Sequence, residues 1–453
     1  MKVIIRTEER PKRSTVAKVL NTVYSSTLGE HDIIIIPECT PDGRFSFLYS
    51  VQTRVSILGI SEIKLQIVSG SSSFIDYLIF EVNDFGVEYL KAMIEETKTD
   101  DSESRNTGVY QRASKFVYAN LLYPNVPKYM LYISESDSEK MPSETAQFGS
   151  KLLKTIGVII KGKNSCYDRL PPFESVDEII DFKNNMRRPP VGNTPILIKK
   201  GYDNCSRESY FISGILSKPK LAGNIAHDPN IGALTLISAG IREFDRNRPI
   251  YITDHCVSQN YINNISGNKF LYIANHLNIA LYGLRYNPNI FINSNPYYHQ
   301  EDSSEKVTTI FLHIVLENMG ARLIYENHAG CERGYFHCAN GVEIALPKEV
   351  NCQKLYIPDL VMQLPFGKVL LIEGKKLSTL YKGIEELNNY GLIENNYINQ
   401  SYDFPIIERW VTTFGGNIDG IPHEKVLIHI NNDGRIFVNL NAPDEIKRIF
   451  GLI

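Results

Sequence analysis

The sequence predicts a mixed α/β protein: a C-terminal domain with a mixed central sheet flanked by helices, preceded by an N-terminal mixed α/β region. Three observations carry this. Strand-like and helix-like segments alternate through the first 185 residues; from residue 307 the order becomes helix, three strands, helix, strand; and the chain is 43% hydrophobic and 22% charged, as folded domains are. At 453 residues it exceeds one ordinary domain. The expected division is 1–97, 108–290 and 300–453.

Residues 2–6, 32–37, 44–52 and 74–82 are rich in strand-forming side chains, and 16–24 has helical spacing. The stretch 98–107, KTDDSESRNT, lacks apolar anchors and reads as a connection. Beyond it a helix over 110–122, a strand over 129–133, a helix over 145–156 and a strand over 157–161 are expected. Ser175, with Glu178 three residues on, predicts a capped helix over 176–185. Residues 286–305, YNPNIFINSNPYYHQEDSSE, combine prolines, amides and charges, and mark the main boundary. Within them Asn295-Pro296-Tyr297-Tyr298 is similar to the Asn-Pro-Pro-Tyr of amino-methyltransferases, but no Gly-rich cofactor loop accompanies it, so it is read as a loop.

In the C-terminal part, Val307, Ile310, Phe311, Ile314 and Val315 form a helical stripe, with Glu317 on the same stripe. A carboxylate there is costly unless it meets a cation or a donor. A strand over 321–325 follows. Leu355–Lys376, LYIPDLVMQLPFGKVLLIEGKK, reads as two strands around a Pro365-Phe366-Gly367-Lys368 turn. Glu373 and Lys375 share a face by alternation, and a hairpin returns Asp359 to that side. Two carboxylates so close repel unless a cation neutralises them, and a divalent ion with oxygen ligands does that. A helix over 378–390 stopped by Gly391, a strand over 406–414 and a hairpin over 425–439 complete the domain.

The pattern Pro358-Asp359, thirteen residues, then Glu373-Gly374-Lys375 resembles the active site of the PD-(D/E)xK nuclease superfamily, and the element order resembles its core. The resemblance covers the C-terminal domain and not residues 1–290. It implies Mg2+, with Mn2+ as a substitute, held by Asp359 and Glu373, with Lys375 orienting the attacking water or screening charge. It also implies a supporting acid on the preceding helix, for which Glu317 is the candidate. The implied protein is similar to a type II restriction endonuclease: a sequence-specific, Mg-dependent cutter of double-stranded DNA. Its recognition region would lie in 1–97 and 108–290, and its catalytic domain in 300–453. Cutting both strands implies a homodimer, and the absence of a methyltransferase cofactor loop places modification on a separate DNA methyltransferase. Two rival readings are a structure-selective repair or junction-resolving nuclease and a non-catalytic DNA-binding protein whose Asp-Glu-Lys set is structural. A fragment starting near Asp302 is expected to fold and to cut weakly.

Other features weigh less. Arg187 and Arg188 before Pro189-Pro190, and the cluster Arg242, Arg246 and Arg248, are candidate DNA contacts, the alternative being solvated loops. Pro41-Asp42 with Glu62-Ile63-Lys64 copies the motif, but its Asp lies in a Thr-Pro-Asp-Gly turn, so a turn and a solvated strand edge are expected. His328, Cys331, His337 and Cys338 offer zinc-binding atoms at a spacing unlike common structural zinc sites. The net charge of −3 argues against a generally basic nucleic-acid coat protein while leaving a local basic cleft open. Seven scattered cysteines suggest a reducing, cytoplasmic setting. The charged start MKVIIRTEERPKRS is unlike a signal peptide. No Gly-x-x-x-x-Gly-Lys-Ser/Thr phosphate loop is present, which argues against an ATP-driven translocating subunit.

Overall fold

The computed structural model describes residues 1–453 apart from 69–74, 98–107, 133–142, 162–166, 168, 187–195, 215, 217–227, 265–268, 286–304, 328–334 and 404. The chain is mixed α/β and divides into two compact units. One comprises Met1–Gly70, Val82–Val87 and Gln300–Ile453; the other comprises Ser71–Glu81 and Glu88–His299. This differs from the expected three consecutive segments. The first 70 residues group with the C-terminal part.

In the first unit, strands Ile33–Cys39, Phe45–Thr53, Glu62–Ile67 and Lys2–Thr7 lie side by side in that order. A second sheet runs Arg322–Glu326, Leu360–Gln363, Lys368–Lys376, Ile406–Phe414, Val426–Ile430, Ile436–Val438. Its first three strands pair antiparallel. Lys368–Lys376 then pairs parallel with Ile406–Phe414, and that strand parallel with Val426–Ile430. A parallel step needs a long crossover, and the chain between residues 377 and 401 supplies it as a succession of short helical pieces. Helicity therefore continues past Gly391, which was expected to end it. Gly391 is absent from the residues with positive φ, so it offers no left-handed cap to stop the helix.

The helix Val307–Asn318 is rich in β-branched residues, which are weak helix formers, so packing sustains it. It lies between Ile33–Cys39 and the second sheet, which is why residues 308–314 are all buried and not one stripe alone. Several bonds tie the first 70 residues to it and to the last hairpin. Arg10 donates to Glu317 at 3.1 Å and to Glu326 at 3.1 and 3.2 Å. Asn318 donates to the Ile35 carbonyl at 2.7 Å, Phe45 and Phe311 meet ring to ring at 4.9 Å, and the Phe45 amide donates to Gly434 O at 2.8 Å. A side chain at Gly434 would stand 2.1 Å from the Phe45 carbonyl oxygen, so only glycine admits this approach. A fragment starting near residue 302 lacks all of these contacts.

In the second unit, Tyr77–Val82, Glu88–Thr97, Lys128–Tyr132 and Val158–Lys161 are consecutive in a sheet, the last three parallel. Glu88–Thr97 was not expected: it is exposed over its first half and buried over its second, so it shows no single alternation. Helix Pro229–Phe244 starts from Asp228, whose side chain accepts from two backbone amides, with Pro229 at its first position. It packs on Gly108–Leu122 so closely that a Cβ at Gly232 would lie 1.7 Å from the Tyr110 carbonyl oxygen. The predicted helix 176–185 forms as Val176–Asn185, with Ser175 accepting from the Glu178 amide at 3.1 Å. No helix among the described residues is long and apolar enough to cross a membrane.

Candidate active site

The hairpin forms around Leu364–Lys368, where the Leu364 amide donates to Lys368 O at 2.8 Å and Gly367, at φ 91°, makes the turn. Its register pairs Leu360 with Ile372, and one step further places Asp359 opposite Glu373. Residues directly opposite in an antiparallel pair share a face. Val369 and Leu371 continue the Glu373 face downward into the core, where Leu380, Leu387 and Tyr390 cover them. The carboxylates thus sit at the rim of an apolar layer, Asp359 8% and Glu373 6% exposed.

Each carboxylate is partnered. Asp359 Oδ2 accepts from the Gly374 amide at 2.9 Å, and its Oδ1 accepts from the Lys306 ammonium. Glu373 Oε1 accepts from Lys375 at 2.6 Å, and its Oε2 from the Tyr390 hydroxyl. Lys375 also pairs with Glu386 at 2.7 Å. Burial first, then the charge of Asp359, pushes the Glu373 pKa up to about 7, against the lowering influence of Lys375 and Tyr390. Burial works to depress Lys375, but Glu373 and Glu386 outweigh it and hold its pKa above the ordinary value. Lys375 therefore remains an ammonium at neutral pH, suited to holding charge and not to taking a proton. Burial and Glu373 likewise keep the Tyr390 hydroxyl protonated and donating.

Gly374 explains why the motif's middle residue is small. A Cβ there would lie 2.3 Å from Thr309 Oγ1 and 3.0 Å from the Glu305 carbonyl oxygen. The glycine lets the start of helix Val307–Asn318 rest on the strand, and Thr309 then shares a 2.7 Å hydrogen bond with Thr412. This seating brings Lys306 to Asp359. Sequence reasoning missed Lys306 because it stands outside the motif, and missed Tyr390 because nothing in its local pattern sets it apart from a core tyrosine.

Asp359, Glu373 and Lys375 are thus brought together, and Glu317 is not. Glu317 lies at the other end of the helix, eleven residues from Lys306, roughly 16 Å along the axis at 1.5 Å per residue. Its carboxylate pairs with Arg10 at 3.1 Å and lies 3.9 Å from Arg13. The donor it needed is a buried arginine from the first 70 residues, which no local pattern reveals.

The remaining candidates separate clearly. Arg242 donates to the carbonyls of Leu277, Asp245 and Asn278, and Arg248 pairs with Glu208 and Asp245, so both brace the fold. Arg246 is exposed, while Arg187 and Arg188 lie outside the described residues. In the second copy of the motif, Glu62 pairs with Lys2 and Lys64, Lys64 pairs with Glu38, and Asp42 accepts from Thr40 within its turn. That strand is not an edge strand, because it is flanked by Lys2–Thr7 and Phe45–Thr53. Cys338 is buried in the apolar cluster and His337 lies beside Glu343; His328 and Cys331 lie outside the described residues, as does 295–298.

Among the described residues no group of three or more His, Cys, Asp and Glu is gathered as if for a metal ion. The donor set at the hairpin is a carboxylate pair. Two hard oxygen donors suit Mg2+, which keeps waters and substrate phosphate oxygens as its other ligands. Burial and then Asp359 displace the Glu373 pKa upward, a cost that such a cation would relieve, and Lys306 already places a positive charge at Asp359. The residues present fit the ion. Comparison of the chain with protein families, curated proteins and solved structures found no match.

Proposed function

We propose that this chain is a sequence-specific double-stranded DNA endonuclease of the PD-(D/E)xK type, similar to type II restriction enzymes, with Asp359, Glu373 and Lys375 at its centre. The observation that carries the reading is the opposition of Asp359 and Glu373 across the hairpin, with Lys375 on Glu373 and an amide on Asp359. The order helix, antiparallel strands, helical crossover, parallel strand around them supports it. The reaction is phosphodiester hydrolysis: a water oxygen bonds to phosphorus, the ester P–O bond breaks, and the leaving oxygen ends as a hydroxyl. Asp359 and Glu373 would hold Mg2+ or Mn2+, which when bound supplies Lewis-acid polarisation of the phosphate and activation of the water. Lys375 stays protonated and screens the negative charge that grows on the phosphate. Tyr390 fixes the Glu373 carboxylate, and Lys306 fixes Asp359. Base recognition belongs to residues outside the hairpin, and modification of the host DNA to a separate methyltransferase. Cutting a duplex takes two such sites.

The test is incubation of plasmid and branched DNA with the purified chain, with Mg2+ or with a chelator. Discrete plasmid fragments formed only with Mg2+ are expected. Cutting of branched DNA alone would move the reading to a junction-selective nuclease, and intact but gel-shifted DNA to a non-catalytic binder.

A further inference from the structure

A second acid pair in the other unit repeats the hairpin's arrangement. Asp76 stands one residue before strand Tyr77–Val82, as Asp359 stands one residue before Leu360–Gln363. The next strand, Glu88–Thr97, is joined through a turn closed by Asn83 N to Val87 O at 3.1 Å. Glu95, near its end, is followed by Glu96, whose amide donates to Asp76 Oδ2 at 2.7 Å. In the first site the amide after Glu373 donates to Asp359 Oδ2 at 2.9 Å. Lys115 donates to Glu95 Oε1 at 2.7 Å, where Lys375 donates to Glu373 Oε1 at 2.6 Å. After both hairpins the chain passes through helix and returns as a parallel neighbour of the glutamate strand, Lys128–Tyr132 in one unit and Ile406–Phe414 in the other.

One difference is informative. Two residues after Glu95 stands Thr97, where the first motif has lysine, and the ammonium comes instead from helix Gly108–Leu122. A Glu-x-Lys triplet starting at Glu95 is therefore absent; the triplet one position on, Glu96-Thr97-Lys98, ends in a lysine outside the described residues. Lys115 also lies 3.7 Å from Asp76 Oδ1, so one ammonium spans both acids. Glu95 and Lys115 are each 1% exposed, whereas the Asp76 side chain is 27% exposed and is the member open to solvent. A fold needing only stability gains little from such a group, because desolvating it costs more than an apolar filling. Burial and then Asp76 push the Glu95 pKa up to about 7, as burial and Asp359 do for Glu373.

We infer that Asp76, Glu95 and Lys115 form a second phosphodiester-hydrolysing site of the same class, so that one chain carries a site for each DNA strand. The inference rests on the proposed nuclease reading and replaces the expected need for a second copy of the chain. The hydrolysis is the one written above, applied to the opposite strand.

Two measurements on the full chain test it. With supercoiled plasmid and Mg2+, the parent should yield linear DNA, Asp76→Asn and Asp359→Asn should each stop at nicked circles, and the double variant should leave the plasmid intact. Asparagine keeps an oxygen to accept the Glu96 amide, and a thermal melt checks that the variant is folded; Glu95→Gln is the second variant should Asp76→Asn melt early. Calorimetric titration with Mn2+ alone should show the parent binding one ion per chain more than Asp76→Asn. Linear product at the parental rate from both Asp76→Asn and Glu95→Gln would overturn the second site. If the parent cuts no DNA, the nuclease reading falls, and the Mn2+ comparison still decides on its own: loss of an ion in Asp76→Asn upholds a second cation site, and an unchanged count removes it.

Discussion

Single residues decide whether this hairpin can work. Lys375 was legible as a strand-end lysine two positions after a glutamate, and the structure adds that two carboxylates keep it charged. Lys375→Ala should lower the rate of linear product formation by roughly 10²–10³, about 3–4 kcal/mol for one charge-stabilising group. Lys375→Arg should fail to restore it, because the planar guanidinium differs in shape and spacing. A gel time course of plasmid cleavage reads both, and near-parental cutting by the alanine variant would make the lysine structural. Gly374→Ala is expected to destabilise the chain by about 1–3 kcal/mol through overpacking against Thr309 and the Glu305 carbonyl. A denaturant melt with an unshifted midpoint would contradict that. Lys306, Tyr390 and Arg10 were not legible. Each reaches its partner across 17 to 316 positions of sequence, and no local spacing encodes such distances.

At the scale of elements, regular patterns were readable and one-sided exposure was not. The strand at 406–414 was expected and forms as Ile406–Phe414, buried over residues 410–414. The crossover after Lys376 misled because a glycine in a helical run looks like a stop, whereas Gly391 adopts no left-handed conformation here. Strand Lys128–Tyr132 carries a separate prediction. Lys128 is 2% exposed and donates to the carbonyls of Tyr123 and Val126 at 2.6 and 2.8 Å. Burial lowers its pKa from 10.5 to about 8. Between those values the unfolded chain binds the proton that the folded chain has released, so this group makes stability rise as pH climbs from about 8 to 10.5. Comparing Lys128→Met with the parent by denaturant melts across that window should show the rise in the parent alone. Equal slopes would mean that Lys128 keeps its proton in the fold.

At the scale of the molecule, composition pointed to more than one compact unit, but not to a unit made from both ends of the chain. Arg10 and Phe45 close that unit through partners near residues 311–326 and 434, contacts that periodicity cannot foresee. Residues 300–453 expressed alone should therefore show no cooperative thermal transition, whereas the same segment joined to residues 1–70 should. A sharp melt of the shorter fragment would contradict the grouping. Arg10→Ala in the full chain should cost about 3 kcal/mol by leaving Glu317 and Glu326 without their buried partner. The central claim is that the Asp359–Glu373 pair performs chemistry and does not merely brace a hairpin. The most direct measurement is linear-product formation and gel-shift affinity of Asp359→Ala and the parent on the same plasmid-derived DNA. The expected result is linear product slowed by orders of magnitude with binding retained. Linear product at the parental rate would place the chemistry elsewhere.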